Sequence, residues 1–273
     1  MSGPATSSAS GSDGGQRPSL PCVVAVPNPA LFLERQLTTS PKRHGNLLLN
    51  TLSPKTLRAL APSEENHKIT DILIRPGDTP ESIFFPHFGT VVSIIRATES
   101  GAMVEAGIVG HEGMFNVHTV ITEPAPTGSE SLVQIDGLVS RVDAGILREH
   151  FRNDEAFRDL LLSFTSLFLH QVTQNLLCNR LHAIEQRLAK WLLIIRDRID
   201  TDELHLTQDF LSHMLGVHRP GVSIAVTALE NDGLIGHSRN HIRIRDHAGL
   251  LARSCECSAS LRTSLERFVA SLS

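Results

Sequence analysis

The chain has no surplus of positive charge: Lys and Arg number 25 against 29 Asp and Glu, a formal net charge of −4. No whole-molecule field gathers polyanions, so any affinity for nucleic acid has to come from local placement of cations. Cysteine is scarce. The four residues at 22, 178, 255 and 257 are too few and too scattered for a disulfide framework, which points to a reduced, cytoplasmic compartment. Long apolar runs are missing: Leu160–Leu169 is the longest, and it is short and interrupted by Ser and Thr. No segment is therefore expected to span a bilayer, and residues 1–21 lack the apolar stretch of a signal peptide. No GxSxG, P-loop, HExxH or paired-carboxylate signature occurs, which argues against an enzyme.

What is present is a globular chain. Its 273 residues are 41% hydrophobic, enough for one large or two modest domains. Residues 1–45 read as an arm. The first 21 are rich in Gly, Ser and Pro and are expected to be disordered; the rest is ambiguous or extended. Residues 46–61 read as one or two short helices, with Ser53 as N-cap and Pro54 in the first turn. From 67 to 142 short β runs follow: Ile69–Ile74, Ser82–Phe85, Val91–Ile95, Val104–Val109, Ser131–Ile135 and Leu138–Val142. Pro, Gly and Asp turns separate them, a spacing that suggests a sandwich or barrel.

A long helix is expected over 153–180, with Asp154 and Glu155 at its positive end. Phe157, Leu160, Phe164, Leu167, Gln171 and Cys178 form one stripe along it, supported by Leu161 and Phe168. The stripe is too wide for one sheet to cover, so a parallel partner helix is the expected cover, with Gln171 and Asn175 fixing register. Packing on its own domain is the alternative. Residues 182–199 form an amphipathic helix with Ile184, Leu188, Trp191, Leu192 and Ile195 inward. The break at 178–181 between the two helices reads as a hinge, about which the two halves of the chain are expected to move.

Residues 206–235 carry the most specific pattern. Thr207 is a helix N-cap, Phe210, Leu211, Met214 and Leu215 share one apolar face, and Gly216 ends the helix. Arg219 and Pro220 open a second helix with Val222, Ala225, Val226 and Leu229 buried, and Asn231-Asp232-Gly233 stops it. That spacing is a helix-turn-helix. Arg239-Asn240-His241 then turns between alternating residues ending in Ile242, Arg243, Ile244 and Arg245, a short β-hairpin or wing.

On these residues the chain resembles transcription regulators of the Crp/Fnr family over residues 46–257. The carrying motifs are LTQDFLSHMLGVHRPGVS with the wing, and, less specifically, Arg75-Pro76-Gly77-Asp78 and Phe85-Pro86 with Gly89. The resemblance implies an α+β chain: an N-terminal β jelly-roll sensor over 46–152, related to cyclic-nucleotide-binding domains, a dimerisation helix over 153–180, a winged helix-turn-helix over 181–252, and a helical tail over 253–273. It implies a homodimer on a palindromic operator in double-stranded DNA, with RNA polymerase as a further partner. Arg219 matches the family position that reads guanine, a task suited to its planar fork. His218 and Ser223 are neighbours at bases or phosphates. Thr207 and Gln208 offer backbone N–H groups to phosphate, and Arg239, His241 and Arg243 in the wing are expected on the DNA backbone. Pro220, Gly221 and Ile224 depart from the polar and basic residues of cyclic-AMP-dependent members, so a different operator is expected.

The sensor also departs from the family pattern. Gly110-His111-Glu112-Gly113 gives a distorted version of the effector-pocket motif. The phosphate-binding Arg is missing, for no Lys or Arg occurs between Ala97 and Ser140. Cyclic AMP is therefore disfavoured as effector. Cys22 stands alone in the arm, which argues against an iron–sulfur cluster. Haem stays open because some family members bind it, although His87, His111, His118 and His170 lack metal-site spacing and read as scattered surface residues. Cys255 and Cys257 could serve redox or metal chemistry; without a second Cys pair to complete a zinc site, idle thiols are the simpler reading, and no metal site is expected.

Residues 181–253 hold nine Lys or Arg and nine Asp or Glu, with seven of the 14 histidines. A His near phosphate gains stability as a cation, so DNA affinity is expected to strengthen as pH falls from about 8 to about 6. The neutral balance also supports a rival reading, in which the winged domain binds a protein or small ligand and not DNA.

Overall fold

The computed structural model describes residues 45–272. Residues 1–44 of the expected arm, Cys22 among them, lie outside the described residues. Two short helices come first, α1 (Leu47–Thr51) and α2 (Pro54–Leu60). Ser53 caps α2, its hydroxyl accepting from the Thr56 N–H at 3.1 Å, with Pro54 in the first turn.

Seven strands then build the sensor: β1 (Ser63–His67), β2 (Ile72–Ile74), β3 (Ser82–Pro86), β4 (Val91–Ala97), β5 (Met103–Val109), β6 (Glu130–Ile135) and β7 (Gly137–Asp143), with helix α3 (His118–Ile121) after β5. They form antiparallel sheets in the orders β1-β7-β3 and β2-β6-β4-β5. Ile83, Phe85, Val139 and Val142 of the first sheet share one core with Val92, Ile94, Val109 and Val133 of the second. Two sheets on one core fit the sandwich or barrel that the short, evenly spaced strands suggest, and the roll that the resemblance implies. β1 (SEENH) was invisible to that reading because it has no apolar alternation.

β4 explains the rest of the architecture. Its first five residues, VVSII, are all buried. Side chains alternate across a strand, so a continuous buried run means cover on both faces. Val92 and Ile94 face the sensor core, whereas Val91 and Ile95, with Ile108 of β5, belong to a second core shared with the C-terminal half. The N-terminal roll and the C-terminal half are thus packed together.

Helix α4 (Ala144–Asn153) is capped by Asp143, and the long α5 (Glu155–Leu181) by Asp154, whose carboxylate accepts from the Phe157 N–H at 3.1 Å. The stripe expected to meet a partner helix turns inward instead. Phe157, Leu161, Phe164, Gln171 and Cys178 are buried within the chain, and Leu160, Leu167 and Phe168 pack on the sensor core. The polar pair is spent locally too: Gln171 Oε1 accepts from the Ile108 N–H at 2.7 Å, and Asn175 Nδ2 donates to the Ala106 carbonyl at 3.1 Å. Both pin α5 on β5. The leucines α5 turns outward are Leu162, Leu169 and Leu176, 47%, 61% and 72% exposed, with Leu177 and Leu181 at its end.

The winged helix-turn-helix half, called the reader below, comprises α6 (Ile184–Ile199), β8 (Glu203–Leu204), α7 (Gln208–Leu215), α8 (Arg219–Asn231), β9 (Ile235–Ser238) and β10 (His241–Ile244), in a sheet ordered β8-β10-β9. The break between α5 and α6 falls at residues 182–183, just past the expected hinge. Helices α9 (His247–Arg253) and α10 (Cys257–Ser271) follow. α10 lies on α5, with the Phe268 ring 6.1 Å from that of Phe164.

Candidate nucleic-acid interface and sensor cleft

Local chemistry sets the geometry of the two-helix unit. Thr207 Oγ1 accepts from the Phe210 N–H at 3.0 Å and so starts α7. Gly216 ends it in the left-handed region (φ +61°), which glycine reaches without strain. Leu211, Met214 and Leu215 of α7 and Val222, Ala225, Val226 and Leu229 of α8 are buried together. What remains outside is the N-terminal face of α8: His218, Arg219 and Pro220 are exposed, and Ile224 is 72% exposed. Ser223 is half-buried on the same helix.

The wing turns at Asn240 (φ +64°). Arg239 is exposed. His241 and Arg243 both engage Glu203 of β8, Arg243 Nε at 3.0 Å from its carboxylate. Gln208 is within 3.3 Å of His237, which joins the start of α7 to the wing. Arg219, His218, Ser223, Arg239, His241, Arg243, Thr207 and Gln208 thus all belong to one winged unit, but Glu203 already engages two of them, His241 and Arg243.

On the sensor side, Gly110, His111, Glu112 and Gly113 line the junction between the roll and the reader. The guanidinium absent from the sensor sequence arrives from α6. Arg198 Nε and Nη2 donate to Glu112 Oε1 at 3.0 and 2.6 Å, and both side chains are under a tenth exposed. Burial alone would raise the Glu112 carboxyl, but Arg198, His111 and backbone N–H groups outweigh it and hold the group below the ordinary carboxylate value. Gly113 is required by packing, because a Cβ there would lie 2.0 Å from the Phe164 ring.

A second buried carboxylate, Glu105 on β5, accepts from Ser93 Oγ at 2.8 Å, Gln134 Nε2 at 2.6 Å and Trp191 Nε1 of α6 at 3.2 Å. Burial raises its carboxyl despite these donors. Beside Glu112 opens a cleft of ≈ 370 Å³ between the roll, α5, α6 and α10. Its walls are chiefly apolar, including Phe164, Phe168, Leu193 and Leu261; His111, Glu112 and Arg198 line it too, with Asp197, Arg262 and Glu266 as further charged groups. Both ring nitrogens of His111 and Glu112 Oε2 are buried without a hydrogen-bond partner among the described residues. Burial, the largest influence, pulls the His111 imidazole below its ordinary value.

The thiols expected to be idle are not scattered in space. Cys178 and His182 stand four residues apart at the end of α5, and Cys255 and Cys257 fold back onto them. The i, i+4 spacing of Cys178 and His182 was readable in the sequence; that it faces the second Cys pair was not. Arg198 was likewise read only as part of the amphipathic helix over 182–199, outside its inward face.

A model of the Crp-like helix-turn-helix domain matches residues 186–253. No curated protein matches the chain. Among solved structures, FixK2 from Bradyrhizobium japonicum superposes with a TM-score of 0.61 at 17% identity, covering 71% of this chain and 98% of that one. The c-di-GMP-responsive global regulator CLP of Xanthomonas campestris gives 0.59 at 16% identity, covering 70% and 99%. A Crp/Fnr-family transcriptional regulator from Thermus thermophilus also gives 0.59 at 16%, covering 70% and 98%. Residues 186–253 are thus similar to the Crp-like helix-turn-helix domain, on a chain whose fold is that of the Crp/Fnr structures it superposes on.

Proposed function

We propose that this chain is a DNA-binding transcription regulator of the Crp/Fnr type that works as a homodimer on a palindromic operator. The observation that carries the reading is the exposed N-terminal face of α8, with Arg219 exposed at the helix's first residue. A guanidinium at that place can enter a major groove and meet O6 and N7 of guanine. Ser223, His218 and the outward Ile224 would decide neighbouring bases, and Arg239, His241 and Arg243 would meet phosphates once DNA competes with Glu203. Thr207 and Gln208 would offer the start of α7 to the backbone. RNA polymerase is the expected protein partner.

The outward leucines of α5 support dimerisation. Leu162, Leu169 and Leu176 recur every seven residues, the repeat of a two-helix seam. A parallel pair on that seam would set two copies of α8 on half-sites about one helical turn apart. The effector, not cyclic AMP on this reading, would enter the cleft beside His111 and Glu112. There its polar groups could satisfy the buried nitrogens of His111 and compete with Arg198, loosening reader from sensor.

The test is selection of random duplex DNA by the full chain, with Arg219→Ala in parallel. Enrichment of a palindrome that the variant loses supports the proposal. No enrichment, with and without added cell extract, supports the rival in which the winged domain binds something other than DNA.

A further inference from the structure

We propose that Cys178, His182, Cys255 and Cys257 form a tetrahedral zinc site that bolts the end of the sensor helix to the C-terminal helical segment. The four ligand atoms all lie within 4.8 Å of one another. Cys178 Sγ is 3.6 Å from Cys255 Sγ, and Cys257 Sγ is 3.5 Å from His182 Nδ1. Zinc binds thiolate at about 2.3 Å and imidazole at about 2.0–2.1 Å, so the edges of its tetrahedron are about 3.8 Å (S to S) and 3.6 Å (S to N). The observed pairs already stand at those separations.

The surroundings fit a metal centre better than a group of spare thiols. Nδ1 of His182 turns to Cys257 while Nε2 sits 3.2 Å from Glu256 Oε1, the carboxylate–histidine arrangement that orients a metal-bound imidazole. Gln174 Nε2 donates to Cys257 Sγ at 3.1 Å. Three thiolates and one Zn²⁺ leave a net negative charge, and the cations Lys190 and Arg187 lie near enough to act on Cys178. All three cysteines are buried and unbridged. A disulfide between Cys178 and Cys255 would need the sulfurs to close to about 2.05 Å, and it would leave His182 and Cys257 without a role. An iron–sulfur cluster spreads its thiolates over several irons and needs them further apart than this group holds them. A closed set of three sulfurs and one nitrogen is the donor set of a structural zinc site.

The site would fix more than its own ligands. Cys178 lies in the last turn of α5, His182 at the break before α6, and Cys257 begins α10. α10 supplies Leu261, Leu265 and Val269 to the sensor cleft. The ion would therefore hold one wall of the cleft in place at the joint between sensor and reader.

The test is metal analysis of the full chain purified under reducing conditions, followed by titration of the metal-free chain with Zn²⁺ and with Co²⁺. One zinc per chain is expected, and Co²⁺ should give the intense visible bands of a tetrahedral site together with sulfur-to-cobalt charge transfer. Cys257→Ser and His182→Ala should lose the stoichiometric metal, and Cys22→Ser should keep it. Glu256→Ala should weaken zinc about 10–100-fold in competition with a chelator while keeping the cobalt spectrum. Far-UV circular dichroism checks that each variant folds. A folded, reduced wild-type chain that takes up neither ion overturns the proposal. So does a Cys257→Ser chain that keeps the full cobalt spectrum, or a native Cys178–Cys255 disulfide in the freshly isolated protein.

Discussion

The Arg198–Glu112 pair offers the sharpest test of the docked arrangement. Both side chains are under a tenth exposed, and both donors of the guanidinium converge on one carboxylate oxygen. Arg198→Ala leaves Glu112 with only backbone N–H donors, that of Gly110 at 3.2 Å among them. Removing one partner of a buried pair costs about 3–5 kcal/mol, because a charge is left uncompensated. Replacing both, as Glu112→Leu with Arg198→Met, should cost far less, since neither charge then has to be desolvated. Urea unfolding of wild type, Glu112→Leu, Arg198→Met and the double variant measures the cycle, with Arg198→Ala beside it. The pH dependence has a definite sign. The Glu112 carboxyl is held below its ordinary value, so the pair's contribution is complete above the usual carboxylate value of 4.5 and is lost as pH falls through the lower folded value. Glu105 runs the other way: its raised carboxyl favours the folded state while protonated, and that contribution is lost as pH rises through its folded value. Repeating the titration in Glu112→Gln isolates the first term. A cost for Arg198→Ala below about 1 kcal/mol, the range of solvated pairs, would refute the buried latch and the docked arrangement with it.

Other outcomes follow from single positions. Arg219→Ala should cost about 1–3 kcal/mol of DNA affinity and relax specificity at one base pair; equal weakening on every sequence, measured by competition binding, would make it a phosphate contact. Leu169→Glu should weaken the dimer by about 2 kcal/mol, roughly 30-fold in Kd, by sedimentation; an unchanged dimer would remove the leucine seam. Gly113→Ala should destabilise the sensor by about 1–3 kcal/mol in urea, because its methyl would enter the Phe164 ring; a neutral result would mean that Phe164 swings aside freely.

The helix-turn-helix was legible because its signals are local: a capping Thr207, a left-handed Gly216 and a period of apolar residues act within a turn or two. The sheet strands with apolar alternation were legible for the same reason. The sequence misled where an apolar face had two possible covers. The stripe of Phe157, Phe164 and Gln171 is equally suited to a partner helix or to the chain's own roll, and α10, which covers Phe164, lies far along the chain. The candidate sites show the same division. Arg219 could be placed by its neighbours, whereas the Glu112–Arg198 pair and the Cys178–Cys255 approach join positions that only tertiary folding brings together. One long-range clue was present in the run VVSII of β4: five consecutive buried residues belong to a strand covered on both faces.

That doubly covered strand has a consequence for how the chain comes apart. Trp191 and Met214 of the reader rest on Glu105, Ser93 and Gln134 of the roll, and Val91, Ile95 and Ile108 of the roll sit in the reader's core. Neither half keeps its inventory of buried groups when the other melts. Heating should therefore yield a single cooperative transition, not one for each half, and a fragment cut at residue 181 should expose indole, thioether and aliphatic surface and self-associate.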